Sequence, residues 1–206
     1  MALAAADGVS IHPNYLTGEA QAALLADIEA VIAAAPFFRP TMPRTGAPFS
    51  VEMTNCGPLG WVADKNGYRY QAHHPETGAP WPAMPERLRA LWRDLGAPAE
   101  PEACLVNRYP EGAKMGLHQD RDEETFDAPV VSVSLGDTAV FRMGGTTRRA
   151  PTRSVRLASG DVVVFGGPSR LIYHGIDRIL TGSSRLVPEG GRINLTLRRV
   201  TPLPAA

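Results

Sequence analysis

His118-Gln119-Asp120, a lone His174 and the run Arg192-Ile193-Asn194-Leu195-Thr196-Leu197-Arg198 hold the side chains best suited to chemistry. On a strand, side chains at i and i+2 face the same way, so His118 and Asp120 can offer an imidazole and a carboxylate to one cation. His174 would add a third ligand from a distant strand. Two His and one carboxylate on one face of an octahedron leave the other positions open, which suits Fe(II) taking a co-substrate and dioxygen. Five His and ten Asp in 206 residues yield about 0.24 His-x-Asp matches by chance, so the motif alone is weak. The last strand strengthens it. There Arg192, Asn194, Thr196 and Arg198 alternate with Ile193, Leu195 and Leu197, giving one apolar face and one that carries two guanidiniums. A solvated edge strand would show the same alternation. An Arg fork binds a carboxylate through two parallel hydrogen bonds and stays charged, so the basic face suits a dicarboxylate.

These side chains need a scaffold of strands. Val131, Val133 and Leu135 alternate with Ser132 and Ser134, Gly136-Asp137-Thr138 offers a turn, and 139–143 returns, which predicts a hairpin. Residues 155–157, 161–165, 171–174 and 192–200 add strands separated by Gly, Pro and Ser. Many short strands with turn signals predict a sandwich or barrel, and a two-sheet roll brings ligands distant in sequence together most economically. Ahead of them, Thr17 is placed to cap a helix over 19–34 that Pro36 stops. A second helix is predicted from Pro85 to Leu95, with Leu88, Leu91, Trp92 and Leu95 at helical spacing and Gly96 beyond. Residues 40–82, rich in Pro, Gly and aromatic side chains, predict short strands and turns that could form a mobile cover.

The composition is that of an ordinary globular domain, 44% hydrophobic and 20% charged, and 206 residues can bury a real core. Twenty-one basic and twenty-one acidic side chains cancel overall, so net charge exerts no pull toward nucleic acid. The C-terminal half is basic, however, with five Arg and no acid over 142–156, a footprint that a phosphate backbone could use. Cys56 and Cys104 are far apart in the chain without metal-like spacing, which predicts reduced thiols. The start, Met1 to Asp7, lacks the basic and apolar regions of a secretory signal, and no stretch reaches membrane-spanning length. The expectation is a cytoplasmic monomer with no membrane partner. His12, His73 and His74 sit in loop-like contexts and are expected at the surface or lightly packed.

Several ordered motifs carry a family resemblance. Cys104-Leu105-Val106-Asn107-Arg108-Tyr109-Pro110, Leu117-His118-Gln119-Asp120-Arg121-Asp122-Glu123, Val131 to Gly136, Tyr173-His174-Gly175 and the final strand closely resemble the bacterial AlkB DNA-repair dioxygenases. The likeness reaches upstream through Met53-Thr54-Asn55-Cys56-Gly57 and Trp81-Pro82-Ala83-Met84-Pro85. It implies a mainly β protein with flanking helices and a double-stranded β-helix, or jelly roll, core. On that pattern the single domain 1–206 divides into an N-terminal helical extension (1–48), a nucleotide-recognition lid (49–84) and a dioxygenase core (100–201).

The resemblance also implies chemistry: Fe(II) on His118, Asp120 and His174, with 2-oxoglutarate and O2 as co-substrates. Arg192 would pair with the distal carboxylate of 2-oxoglutarate and Arg198 lie near the carboxylate beside the iron, with Asn107, Tyr109 and Asn194 completing the hydrogen bonds. The implied reaction is oxidative demethylation of bases such as 1-methyladenine and 3-methylcytosine in single- or double-stranded DNA, or in RNA, releasing formaldehyde, succinate and CO2. Such a base is cationic and cannot pair, so extrusion is cheap, and an aromatic face with a nearby carboxylate favours it. Trp61 maps onto the stacking position opposite His118, Asp122 onto the carboxylate, and Tyr68, Tyr70 and Arg148 onto further substrate contacts. The tyrosines could equally pack the cover, and Asp122 also belongs to the acidic run Asp122-Glu123-Glu124. Phe165 stands where the best-known bacterial members carry tryptophan, which implies an altered pocket shape. The charged lid residues Asp64 and Lys65 also depart from the family and bear on strand preference. Two other classes share the pattern: a 2-oxoglutarate-dependent hydroxylase of a metabolite or protein, and a non-catalytic jelly roll. The second is disfavoured by the presence of all three ligands and both Arg.

Overall fold

The Thr17 hydroxyl accepts from the Ala20 amide at 3.2 Å, satisfying one of the amides that a helix start leaves unpaired. From there α1 runs over Gly18–Ala34 and ends ahead of Pro36, as predicted, burying Leu24, Leu25, Ile28 and Val31. Helix α2, Glu86–Asp94, buries Leu88, Leu91 and Trp92, and the chain leaves it through Gly96 at φ +72°, where glycine meets no Cβ penalty. This computed structural model describes residues 3–6 and 8–203. Residues 1, 2 and 7 of the opening stretch and 204–206 lie outside the described residues.

Apart from a 3-10 turn at Gly167–Ser169, the remaining elements are strands: β1 (Leu3–Ala6), β2 (Val9–His12), β3 (Glu52–Cys56), β4 (Gly60–Asp64), β5 (Gly67–Gln71), β6 (Ala103–Tyr109) and β7 (Met115–His118). Then come β8 (Val130–Gly136), β9 (Thr138–Met143), β10 (Arg153–Leu157), β11 (Val162–Phe165), β12 (His174–Leu180) and β13 (Arg192–Arg198). A large sheet has the order β1-β2-β11-β8-β13-β6-β3, a smaller one β10-β9-β12-β7, and β4 pairs with β5 as a separate hairpin. The two main sheets form the expected jelly roll. Its two apolar clusters lie on opposite faces of the large sheet. One joins both helices to Val106, Val133, Leu195 and Leu197. The other joins Met53, Leu105, Val163 and Phe165 to Phe141, Leu157 and Ile176 of the smaller sheet.

Strand β13 decides where the chemistry sits. It lies between β8 and β6, and all seven of its residues are buried, which removes the solvated-edge alternative. Ile193, Leu195 and Leu197 pack toward the helices, each burial contributing about 1.5–3 kcal/mol. The strand's pleat turns Arg192, Asn194, Thr196 and Arg198 the other way, into the space between the sheets.

Three sequence expectations need correction. The hairpin predicted over 131–143 is a corner: β8 pairs with β11 and β13 in the large sheet, whereas β9 pairs with β10 and β12 in the smaller one. Gly136 turns it at φ +82°, where a Cβ would lie 2.5 Å from the Gly191 carbonyl. The buried Asp137 carboxylate then pins it by accepting from the amides of Gly182, Ser184 and Gly191. A Gly-Asp turn looks alike in both settings, since only pairing distinguishes them. Second, the strand expected over 171–174 begins at His174, because the chain turns through 167–173 first. Third, His74 is buried, with Nε2 on the Pro36 carbonyl at 2.7 Å and Nδ1 accepting from the Glu76 and Thr77 amides. His12 is half-buried and His73 exposed.

Candidate metal and co-substrate centre

Strands β7 and β12 are antiparallel neighbours whose register sets His118 directly opposite His174. Asp120 lies two residues beyond the end of β7, in a loop rather than on the strand assumed from the i, i+2 spacing, yet it turns into the same place. His118 Nε2 lies 3.6 Å from Asp120 Oδ1 and His174 Nε2 3.8 Å from Asp120 Oδ2. One ligand atom from each residue falls within 4.8 Å of the others. Each imidazole presents Nδ1 to a carbonyl, His118 to Gly116 at 2.9 Å and His174 to Ile172 at 3.1 Å. A carbonyl only accepts, so Nδ1 carries the proton and Nε2 keeps its lone pair for a cation. Burial and the neighbouring His118 lower the His174 pKa to about 4, so it is neutral at pH 7. Burial pushes the Asp120 carboxyl up, but Arg198 and the two imidazoles outweigh it and hold it well below the usual carboxylate range. The donor set fits Fe(II): two imidazole nitrogens and an ionised oxygen on one side, with a cleft on the other.

That cleft, about 550 Å³, runs between the sheets. Arg192 sits on its wall with 1% of its surface exposed; NH2 donates to Ser134 Oγ at 2.8 Å and Nε has no partner among the described residues. Burial lowers its pKa to about 10, only partly offset by Tyr109 and Asp161, and it remains charged at pH 7. Among the described residues it forms no ion pair. A buried guanidinium with an unused donor is placed to receive an anion. Nearby, Asn107 Nδ2 donates to Asn194 Oδ1 at 3.4 Å and Asn107 Oδ1 has no partner among the described residues; Asn194 Nδ2 donates to Ser132 Oγ at 2.8 Å and to the Val133 carbonyl at 3.1 Å. Tyr109 is buried on the same wall, and burial raises its pKa to about 12. Arg198 differs from Arg192. Its Nε and NH2 lie 3.2 and 2.9 Å from Asp120 Oδ2, leaving NH1 without a partner among the described residues.

The β4-β5 hairpin contributes Trp61, Tyr68 and Tyr70 to the lining of the cleft. Asn55, fully buried on β3, fixes Trp61 by bonding both its amide and its carbonyl, at 3.0 and 3.1 Å. The Trp61 indole NH donates to Asp122 Oδ2 at 2.8 Å, and its ring stacks on Tyr68 with centroids 5.7 Å apart and planes 15° from parallel. The Tyr70 hydroxyl donates to Glu123 Oε1 at 2.7 Å. Asp64 closes the hairpin by receiving both ends of the Arg69 fork at 3.0 and 2.9 Å. Arg148 lies at the rim, its guanidinium 5.7 Å from the Tyr173 ring. Phe165 packs against His174 with ring centroids 4.8 Å apart.

Residues 8–198 match the model of the 2OG-Fe(II) oxygenase superfamily. The chain belongs to that superfamily. Within it, the alpha-ketoglutarate-dependent dioxygenase AlkB homolog of Caulobacter vibrioides is 58% identical over 93% of this chain and 87% of its own length. The alpha-ketoglutarate-dependent dioxygenase AlkB of Escherichia coli is 46% identical over 85% of this chain and 83% of its own. The solved OsALKBH1 structure superposes with a TM-score of 0.81 at 32% identity, covering 93% of this chain and 96% of that one. The chain is therefore an Fe(II)/2-oxoglutarate-dependent dioxygenase, requiring Fe(II), 2-oxoglutarate and O2.

Sequence reasoning passed over several residues of this oxygenase site. Ser134 and Ser132 read only as the polar half of an alternating strand, yet they orient Arg192 and Asn194. Asn55 gave no signal beyond its place in a motif. Glu123 read as part of an acidic run and Arg170 as one of many C-terminal arginines, but both are buried beside Asp120. No periodicity marks either one, because both lie off the strands.

Proposed function

We propose that the enzyme removes N-alkyl groups from bases such as 1-methyladenine and 3-methylcytosine in DNA, preferring single strands and releasing formaldehyde, succinate and CO2. The observation that carries this reading is the indole of Trp61, held by Asn55 and Asp122 and lining the same cleft as His118. An indole face and a carboxylate favour a flat cation over a neutral base. His118, Asp120 and His174 would hold the iron, and Arg192 the distal carboxylate of 2-oxoglutarate with its free Nε. Asn107, Tyr109 and Asn194 line the path between them, and Arg198 fixes Asp120 in its ionised form. Once bound, iron, 2-oxoglutarate and dioxygen supply the oxidising chemistry that hydroxylates the N-methyl carbon. The protein's part is aim and shelter: the buried Asp120 and His174 face the cleft between the sheets, and the base is placed beside them by Trp61 and Asp122. Tyr68 extends the stacking face, Tyr70 braces the hairpin on Glu123, and Arg148 meets the phosphate backbone. The described residues contain no helix long and apolar enough to cross a membrane. A cytoplasmic monomer acting on nucleic acid completes the reading. The test supplies Fe(II), 2-oxoglutarate and oxygen with a single-stranded oligonucleotide bearing one 3-methylcytosine. Loss of the methyl mass with matching succinate supports it; succinate formed without any change in the oligonucleotide rejects the nucleic-acid substrate.

A further inference from the structure

Asp120 lies beyond the end of β7, so no strand ladder fixes its backbone. The segment 170–172 does that work. Arg170 NH1 donates to the Asp120 carbonyl at 2.8 Å, and its Nε donates to the Ala128 carbonyl at 3.0 Å, so one planar fork grips the loop at both ends. Gln119, between the two ligands, donates to the Leu171 carbonyl at 2.6 Å, and the Ile172 carbonyl orients His174. The third Arg170 nitrogen, NH2, lies 3.3 Å from Glu123 Oε2, an ion pair without hydrogen-bond alignment. Glu123 Oε1 in turn lies 3.3 Å from Arg198 Nε and accepts from Tyr70. Asp120 and Glu123 bring two negative charges to this buried group, and Arg170 and Arg198 bring two positive ones. Neutrality is reached before any cation arrives.

We propose that Arg170 is a positioning residue for the reaction. It sets the metal-binding carboxylate of Asp120 from the backbone side, with Glu123 as the counter-charge that lets a guanidinium occupy the interior. The proposal rests on the assignment of Asp120 as an iron ligand. Arg170 touches neither metal nor substrate; its effect passes through the loop it holds. Outer partners that orient ligands in this way typically change metal affinity 10- to 100-fold.

Cobalt(II) in place of iron gives a visible spectrum that reads ligand geometry without turnover. In the double variant Arg170→Met with Glu123→Gln, charge balance is kept and the amide can still reach Tyr70 and Arg198, but the Asp120 carbonyl loses its donor. The expected result is a folded protein with a lowered unfolding midpoint, shifted cobalt bands, and cobalt affinity about 10- to 100-fold weaker. Arg170→Lys keeps the charge but cannot span both carbonyls, and should move bands and affinity the same way by less. Wild-type bands and affinity in the folded double variant overturn the proposal. If the double variant does not fold, Arg170→Lys decides, and wild-type cobalt behaviour there overturns it. Wild-type protein that takes up no cobalt would instead reject the metal site itself, and the inference with it.

Discussion

At the deep end of the cleft Arg192 and His174 are buried on strands and Asp120 is buried in the grip of Arg198 and Arg170, whereas at its mouth Tyr68 is 47% exposed and the His118 side chain 40%. Both ends mix charged and aromatic groups, but water separates their energetics. Removing a partner at the deep end leaves a desolvated charge, which typically costs about 3–5 kcal/mol. At the mouth the same loss is met by solvent. The deep end should therefore be intolerant of change and the mouth adjustable, which places co-substrate identity in the interior and substrate preference in the hairpin.

Substitutions test this contrast in descending order. Asp120→Ala should lower succinate and formaldehyde formation together to below about a thousandth of wild type, measured in single assays of both products. Arg192→Leu should raise the KM for 2-oxoglutarate about 100-fold, and an unchanged KM would place the co-substrate anchor elsewhere. The metal-free protein should lose stability as pH falls from about 6.5 toward 4. In that window the unfolded His174 takes up a proton that the folded one, with its pKa near 4, refuses. The loss amounts to up to about 3 kcal/mol, read by denaturant midpoints, and bound metal should suppress it. Trp61→Ala should raise the KM for a methylated oligonucleotide about 10-fold or more through lost stacking, leaving 2-oxoglutarate dependence intact. Tyr68→Ala, at an exposed position, should change that KM only a few-fold. A mouth substitution that outdid Arg192→Leu would dissolve the contrast.

What could be read from the sequence follows the same division. Periodicity made β13 legible down to its individual faces, because a strand buried on both sides still alternates when one side is a polar site. It could not separate that strand from a solvated edge; its place between β8 and β6 did. The two helices were legible from caps and spacing. The corner at Gly136 was not, since turn chemistry is local and strand partnership is not. Cys56 and Cys104, unremarkable in the sequence, face each other across β3 and β6 as buried free thiols. Glu123 and Arg170 stayed hidden for a related reason. Their burial depends on each other, and no single stretch of chain contains both.

Strand β7 is four residues long, lies at the margin of the smaller sheet and, among the described residues, is paired there only with β12. His118 closes it, directly across from His174. A cation gripped by both imidazoles would rivet that margin to its neighbour, so loading the centre should slow amide hydrogen exchange along 115–118 while leaving β13 untouched. The catalyst's own iron then doubles as the fastening that keeps an otherwise fray-prone border of the barrel from peeling open.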